Sequence, residues 1–250
     1  MRGRFSSLLA VPVSAWLAFA LPSQALAERP ADCRATGHQT EIDFPLLFTG
    51  RAIAAKNLNV LVVGAGSSIL PGPNGAKNAY PARLQLALAA KLPGVKVTVE
   101  TDVKSRRSAD DMVKTLPAML AKAKPSLMIW QTATVDAMQA VDLDQFSRTL
   151  DVGINTARSA KADVIFVNPQ YSPRTESMIA LASYVENMRW VALQQEVPVF
   201  DRFNLMKTWA DLGTFDLYSA TKKLDMAERV HDCIGRLLAG LVIEAAKPTP

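Results

Sequence analysis

The chain has 250 residues, 49% of them hydrophobic, and a formal net charge of +5. That is enough apolar material for one sizeable core, so a second domain is not required. The surplus of positive charge is small and scattered, which excludes the dense basic footprint of a nucleic-acid binder.

The first 27 residues have the three-part layout of a secretory signal. Arg2 and Arg4 form the basic start, the run from Leu8 to Leu21 is mostly apolar, and Ala25-Leu26-Ala27 supplies the small-residue cleavage site. Cleavage after Ala27 is expected, and with it a periplasmic or secreted chain. The apolar run is short and broken by Pro12 and Pro22, so it reads as no retained anchor, and no later stretch is long and apolar enough to span a bilayer. No cysteine stands at the cleavage point to carry a lipid. Cys33 and Cys233 would both meet an oxidising compartment. They either pair, fastening an N-terminal arm to the last helix, or stay as two buried thiols, and export favours the pair. Residues 28–57 read as that arm, which holds His38, and residues 58–250 as the domain.

The run 59–63 is aliphatic on both faces and stops in Gly64-Ala65-Gly66-Ser67-Ser68. It reads as a strand buried inside a helix-covered sheet, with a ligand crevice beyond its carboxyl end. A dinucleotide site is set aside, because the third glycine of that fingerprint falls on Ile69 and a Pro/Gly-rich loop follows where a helix should start. A nucleophilic serine, or a tight turn and nothing more, remain as readings. Further on, residues 80–91 have helical spacing and 95–99 alternate as a strand does. Ser108, followed by Asp110 and Asp111, caps a helix running toward Lys122. Residues 125–131 form another buried strand, 144–160 a helix, and 163–167 a fourth strand. One long helix is predicted over 175–195, a short fifth strand over 197–200 at the sheet edge because of Pro198, and an amphipathic helix over 227–246. Alternating strands and helices imply a parallel sheet wrapped on both faces.

The mature part holds only His38 and His231. A serine hydroxyl is a poor nucleophile near neutral pH until a base takes its proton, so His231 draws interest. Glu228 lies three residues earlier, on the same helix face, where it would orient the ring. The alternative is a packing histidine beside a solvated glutamate. Tyr171-Ser172-Pro173-Arg174 after the fourth strand either lines the pocket, with Arg174 reading an anionic or sugar group, or turns into the next helix. Asp201-Arg202 after the fifth strand is either pocket lining or a surface ion pair. No cluster of His, Cys or carboxylates has metal-ligand spacing, so neither a metal nor a cofactor is expected.

In order and spacing the chain from about residue 59 to 246 resembles the SGNH/GDSL hydrolase superfamily. Gly66-Ser67-Ser68 matches its Gly-Asp-Ser block, Tyr80-Pro81-Ala82-Arg83-Leu84 its first helix start, Ala133-Thr134-Val135-Asp136 its Gly-x-Asn-Asp block, and Glu228-x-x-His231 its Asp-x-x-His. The resemblance implies a three-layer α/β/α flavodoxin-like fold with a five-stranded parallel sheet. It also implies a Ser68, His231, Glu228 triad that hydrolyses esters. The family's oxyanion glycine falls in the region of Ser105, and its oxyanion asparagine is Val135 here. One such donor is worth roughly 3 to 4 kcal/mol of transition-state stabilisation. Ser105, Ala133 and a substitute amide from Gln131, Asn168 or Gln170 are therefore the expected lining of an altered oxyanion hole.

Together these readings anticipate an exported esterase acting on small esters or O-acylated glycans. The competing reading is an envelope protein of the same fold that binds glycan without turnover.

Overall fold

The computed structural model describes Cys33, residues 44–218 and residues 224–247. The signal segment, His38 and most of the arm lie outside the described residues. Five strands form one parallel sheet in the order β2-β1-β3-β4-β5. They are β1 (Asn57–Gly64), β2 (Lys96–Val103), β3 (Leu127–Gln131), β4 (Asp163–Val167) and β5 (Val199–Phe200). The helices are α1 (Leu47–Ala54), α2 (Gly75–Asn78), α3 (Tyr80–Lys91), α4 (Ala109–Ala123), α5 (Thr134–Met138), α6 (Leu143–Ser159), α7 (Pro173–Met178), α8 (Leu181–Gln194), α9 (Arg202–Asp211) and α10 (Leu224–Ala245).

The strand order follows from burial. Every residue of β3 is buried, and so is nearly all of β1, which places these two inside the sheet and explains their unbroken apolar runs. β2 alternates weakly and sits at one edge, while Pro198 leads β5 into the other, where its missing N–H costs nothing. α4, α6 and α8 pack in series, and α10 packs along α3. The apolar stripes of these helices close on the sheet, the arrangement expected of a three-layer α/β/α fold.

Local chemistry sets the helix ends. Ser108 and Asp111 form a reciprocal capping box at the start of α4, as the sequence predicts. The predicted long helix over 175–195 is two helices: Ser172 caps α7, and extended backbone at Ile179 separates it from α8. Four further helices escape the sequence reading, the short α2 and α5 and the longer α1 and α9. α1 turns the end of the arm into part of the domain, with the Thr49 amide and hydroxyl both donating to Asp163 Oδ2. In α9, Phe203, Leu205, Met206, Trp209 and Ala210 are buried around several sides, which leaves no single apolar stripe to read.

Candidate active site

The turn after β1 is a short 3-10 segment, Gly66–Ser68. It sends its two serine hydroxyls in different directions. Ser68 is 1% exposed, and its hydroxyl donates to Gln131 Oε1 at 2.9 Å. That commits its only proton, so the Tyr80 hydroxyl, 3.0 Å away, donates to Ser68. Gln131 Oε1 also accepts the Ala65 amide at 3.1 Å, while Gln131 Nε2 is buried without a partner. Gly64 makes this closeness possible, because a Cβ there would stand 2.5 Å from Ser68 Oγ. Burial pushes the Tyr80 phenol up, so it stays a proton donor.

Ser67 faces another way. Its hydroxyl accepts from Arg202 Nη2 at 3.1 Å and its carbonyl from Nη1 at 3.2 Å. Arg202, the first residue of α9, is fully buried, and its Nε donates to the Asn168 carbonyl at 3.2 Å. Burial lowers this guanidinium to about 10, still charged at neutral pH. Arg202 makes no ion pair with its neighbour Asp201, which pairs with Arg189 at 2.5 Å instead. The surface ion pair considered from the sequence is thus replaced by a buried cation behind Ser67.

His231 stands on α10, 7% exposed. Its Nδ1 accepts the backbone N–H of Tyr80 at 3.0 Å, one of the orphan donors at the start of α3. An imidazole that accepts at Nδ1 carries its proton on Nε2 when neutral. Burial, and secondarily the charge of Arg202, lower this ring to about 3, so the neutral Nε2–H form holds at ordinary pH. Glu228 does not orient it. The Glu228 carboxylate accepts from Asn78 Nδ2 at 2.7 Å, and Asn78 in turn accepts from Arg83 at 2.6 Å.

Ser68 and His231 therefore meet the same residue, Tyr80, at different points: the hydroxyl for one, the main chain for the other. A crevice of 430 Å³ at the carboxyl end of the sheet is lined by Gly66, Ser67, Gln170, Tyr171, Arg174 and His231, among others. Ser68 does not line it. That serine borders a separate 260 Å³ crevice with Pro81, Gln85, Val99 and Thr101.

The other anticipated residues divide similarly. Gln170 and Arg174 reach the first crevice. Ser105 is exposed beside the β1 turn, its Oγ 3.3 Å from where a Cβ on Gly66 would stand. Asn168 is buried and spent on structure, with Nδ2 on Asp201 and Oδ1 taking the Phe203 amide. Ala133 has a φ of 81°, the left-handed backbone that glycine adopts without cost, which fits its alignment with the family glycine. Val135 is partly buried against the core. Asp136 is 2% exposed and takes the Ala109 amide at 2.9 Å, which ties α5 to the start of α4; its carboxyl is raised by burial. Cys33 and Cys233 are joined, their Cα atoms 5.3 Å apart. Among the described residues no three His, Cys, Asp or Glu side chains gather as a metal site, and no helix is long and apolar enough to cross a membrane.

Ser67 and Tyr80 are the residues that sequence reasoning passed over as site groups, and Arg202 was weighed there as pocket lining or half of a surface pair. Arg202 had one signal, its place directly after a strand at the ligand end of the sheet.

The fold is that of the SGNH/GDSL hydrolases. Among solved structures it is similar to TesA, with 20% identity, a TM-score of 0.55, and coverage of 73% of this chain and 99% of that one. A catalytic mutant of Axe2, an acetylxylan esterase from Geobacillus stearothermophilus, matches with 17% identity and a TM-score of 0.58 over 73% of this chain and 93% of its own. A putative lipolytic protein of the G-D-S-L family from Desulfitobacterium hafniense matches with 16% identity and a TM-score of 0.56 over 74% and 99%. No curated protein matches the sequence significantly. The chain belongs to the Non-GDSL lipase-like family, whose model matches residues 32–248.

Proposed function

We propose that the protein is an exported hydrolase of ester bonds, acting on small acyl esters or O-acylated glycans in the crevice beyond β1. The observation that carries this reading is that Ser67, from the end of the first strand, and His231, from the last helix, line one crevice. The acetylxylan esterase of the same fold is in keeping with an acylated sugar. Export is supported by the bridge between Cys33 and Cys233 and by the signal-like start of the sequence.

In this reading Ser67 Oγ attacks the ester carbonyl, His231 Nε2 takes the hydroxyl proton, and the same proton passes to the departing alcohol. A water molecule then releases the acyl group by the reverse route. Arg202, donating to Ser67 Oγ, lowers the cost of developing negative charge there. Nε2 can accept only if the ring proton moves to Nδ1, which means giving up the Tyr80 amide. Glu228, one turn back on α10, is the carboxylate that accepts the Nδ1–H hydrogen bond once it releases Asn78, the proton itself staying on the ring. Ser68, locked to Tyr80 and Gln131, holds the turn in place.

A second reading rests on its own observation. With Nδ1 engaged by Tyr80, the ring offers the crevice a donor and not a base, so the site binds an oxygen-rich ligand without turnover.

Hydrolysis of p-nitrophenyl acetate and labelling by a fluorophosphonate, with the labelled peptide mapped, separate these. Loss of turnover in Ser67→Ala and His231→Ala, with Ser68→Ala retaining it, supports the hydrolase as written. An adduct on Ser68 instead returns the nucleophile to the residue the sequence resemblance singled out. Absence of both turnover and adduct leaves the binding reading.

A further inference from the structure

Among the described residues Arg202 is a cation with no paired anion. Its three hydrogen bonds, to the Ser67 hydroxyl and carbonyl and the Asn168 carbonyl, all go to neutral oxygens. A desolvated charge without a counter-charge is costly, and the start of a helix, where Arg202 sits, disfavours a cation further. The nearest acid in sequence, Asp201, is used by Arg189, Asn168 and the start of α9. Among the described residues nothing offsets the charge, and the side chain it touches, Ser67, opens on the crevice.

The crevice wall continues the pattern. Arg174 is exposed on its lining, and His231 presents Nε2–H. The lining has one acid, Asp216, whose Oδ1 accepts the Tyr218 amide at 3.2 Å. Donors and positive charge thus converge on a cavity already shown to be open.

Resting on the crevice reading above, we propose that this site selects an anionic ligand: an ester whose acyl or alcohol part carries a carboxylate or phosphate, held against Ser67 by the field of the buried Arg202 behind it and by Arg174 on the lining. The bound oxyanion supplies the counter-charge that none of the described residues provides. A neutral ester of the same size leaves Arg202 uncompensated, which makes it the poorer substrate.

The test uses the mature, disulfide-bonded chain. The ratio of kcat/KM for the mono-p-nitrophenyl ester of succinate to that for its methyl-capped, uncharged counterpart is expected to be about tenfold or more, since a single close charge pair near a protein surface is worth at least that much. The ratio should fall toward one in Arg202→Met, which keeps the aliphatic volume, and fall partway in Arg174→Gln. In parallel, succinate and inorganic phosphate should each raise the unfolding midpoint by about 2 °C or more over sodium chloride of equal ionic strength, the stronger of the two telling carboxylate from phosphate. If Arg202→Met does not fold, Arg174→Gln decides, since it is exposed. Equal rates on the two esters, or no midpoint rise from either anion, overturn the proposal. So does a rise that persists unchanged in both variants, because the anion then sits elsewhere. Should no ester be turned over while the midpoint still rises and Arg174→Gln weakens it, the anion preference stands and the hydrolase reading alone fails.

Discussion

Replacing His231 by asparagine should flatten the acid side of the stability curve. The ring's pKa drops from 6.5 to about 3 on folding because burial and the charge of Arg202 disfavour the imidazolium. An unfolded chain takes up a proton below pH 6.5 that the folded chain refuses until about pH 3. The stabilisation is therefore complete above the unfolded value and is lost as the pH falls. Integrating between pH 7 and 4.5 gives a loss of roughly 2 to 3 kcal/mol from this one group. In His231→Asn the side-chain Oδ1 stands where Nδ1 does and still accepts the Tyr80 amide, but it does not titrate. Urea unfolding of both proteins at pH 7 and 4.5 reads the effect as the difference of differences. Comparison with the variant is needed because Asp136 and Asp163 are shifted upward by burial and act with the opposite sign. Parallel stability curves for the two proteins would refute the burial of a neutral imidazole and, with it, the assignment of the proton to Nε2.

Three further outcomes follow from packing and backbone. Ala133→Gly should stabilise the fold by about 1 kcal/mol, read as a rise of a few degrees in Tm, because glycine adopts the φ of 81° without strain. Gly153→Ala should cost several degrees of Tm and disturb the near-UV circular dichroism of Trp130, since the added Cβ would stand 2.2 Å from its ring. Serine at both Cys33 and Cys233 should lower stability by at most about 5 kcal/mol, the loop-closure limit for so long a ring, measured by guanidinium unfolding under non-reducing conditions.

The sheet was legible because its strands announce themselves. Residues 59–63, 127–131 and 163–167 are apolar on both faces, and only a covered parallel sheet accommodates that. Ser108 with Asp111 marked its helix start through local chemistry, and the resemblance to SGNH hydrolases gave the fold and the region of the site. What sequence could not convey was direction. Ser67 and Ser68 are adjacent, and nothing in their order says that a tight 3-10 turn sends one into the core and the other toward the crevice. Glu228 and His231 share a helix face by spacing, yet Asn78, which takes the carboxylate, comes from the end of α2, some 150 positions away in the chain. Arg202 looked like half of a surface pair because Asp201 precedes it, and only the approach of α8 brings Arg189 to claim that acid.

The bridge at Cys233 is two residues along α10 from His231, and α10 lies so near α3 that a Cβ on Gly235 would fall 2.6 Å from Arg83 Cβ. The crosslink thus pins the very rod that carries the imidazole, and its other end is Cys33, 200 positions earlier in the chain. A freshly made polypeptide in a reducing environment has that rod tethered at neither sulfur. Thiol oxidation thereby stiffens the rod that carries one wall of the crevice.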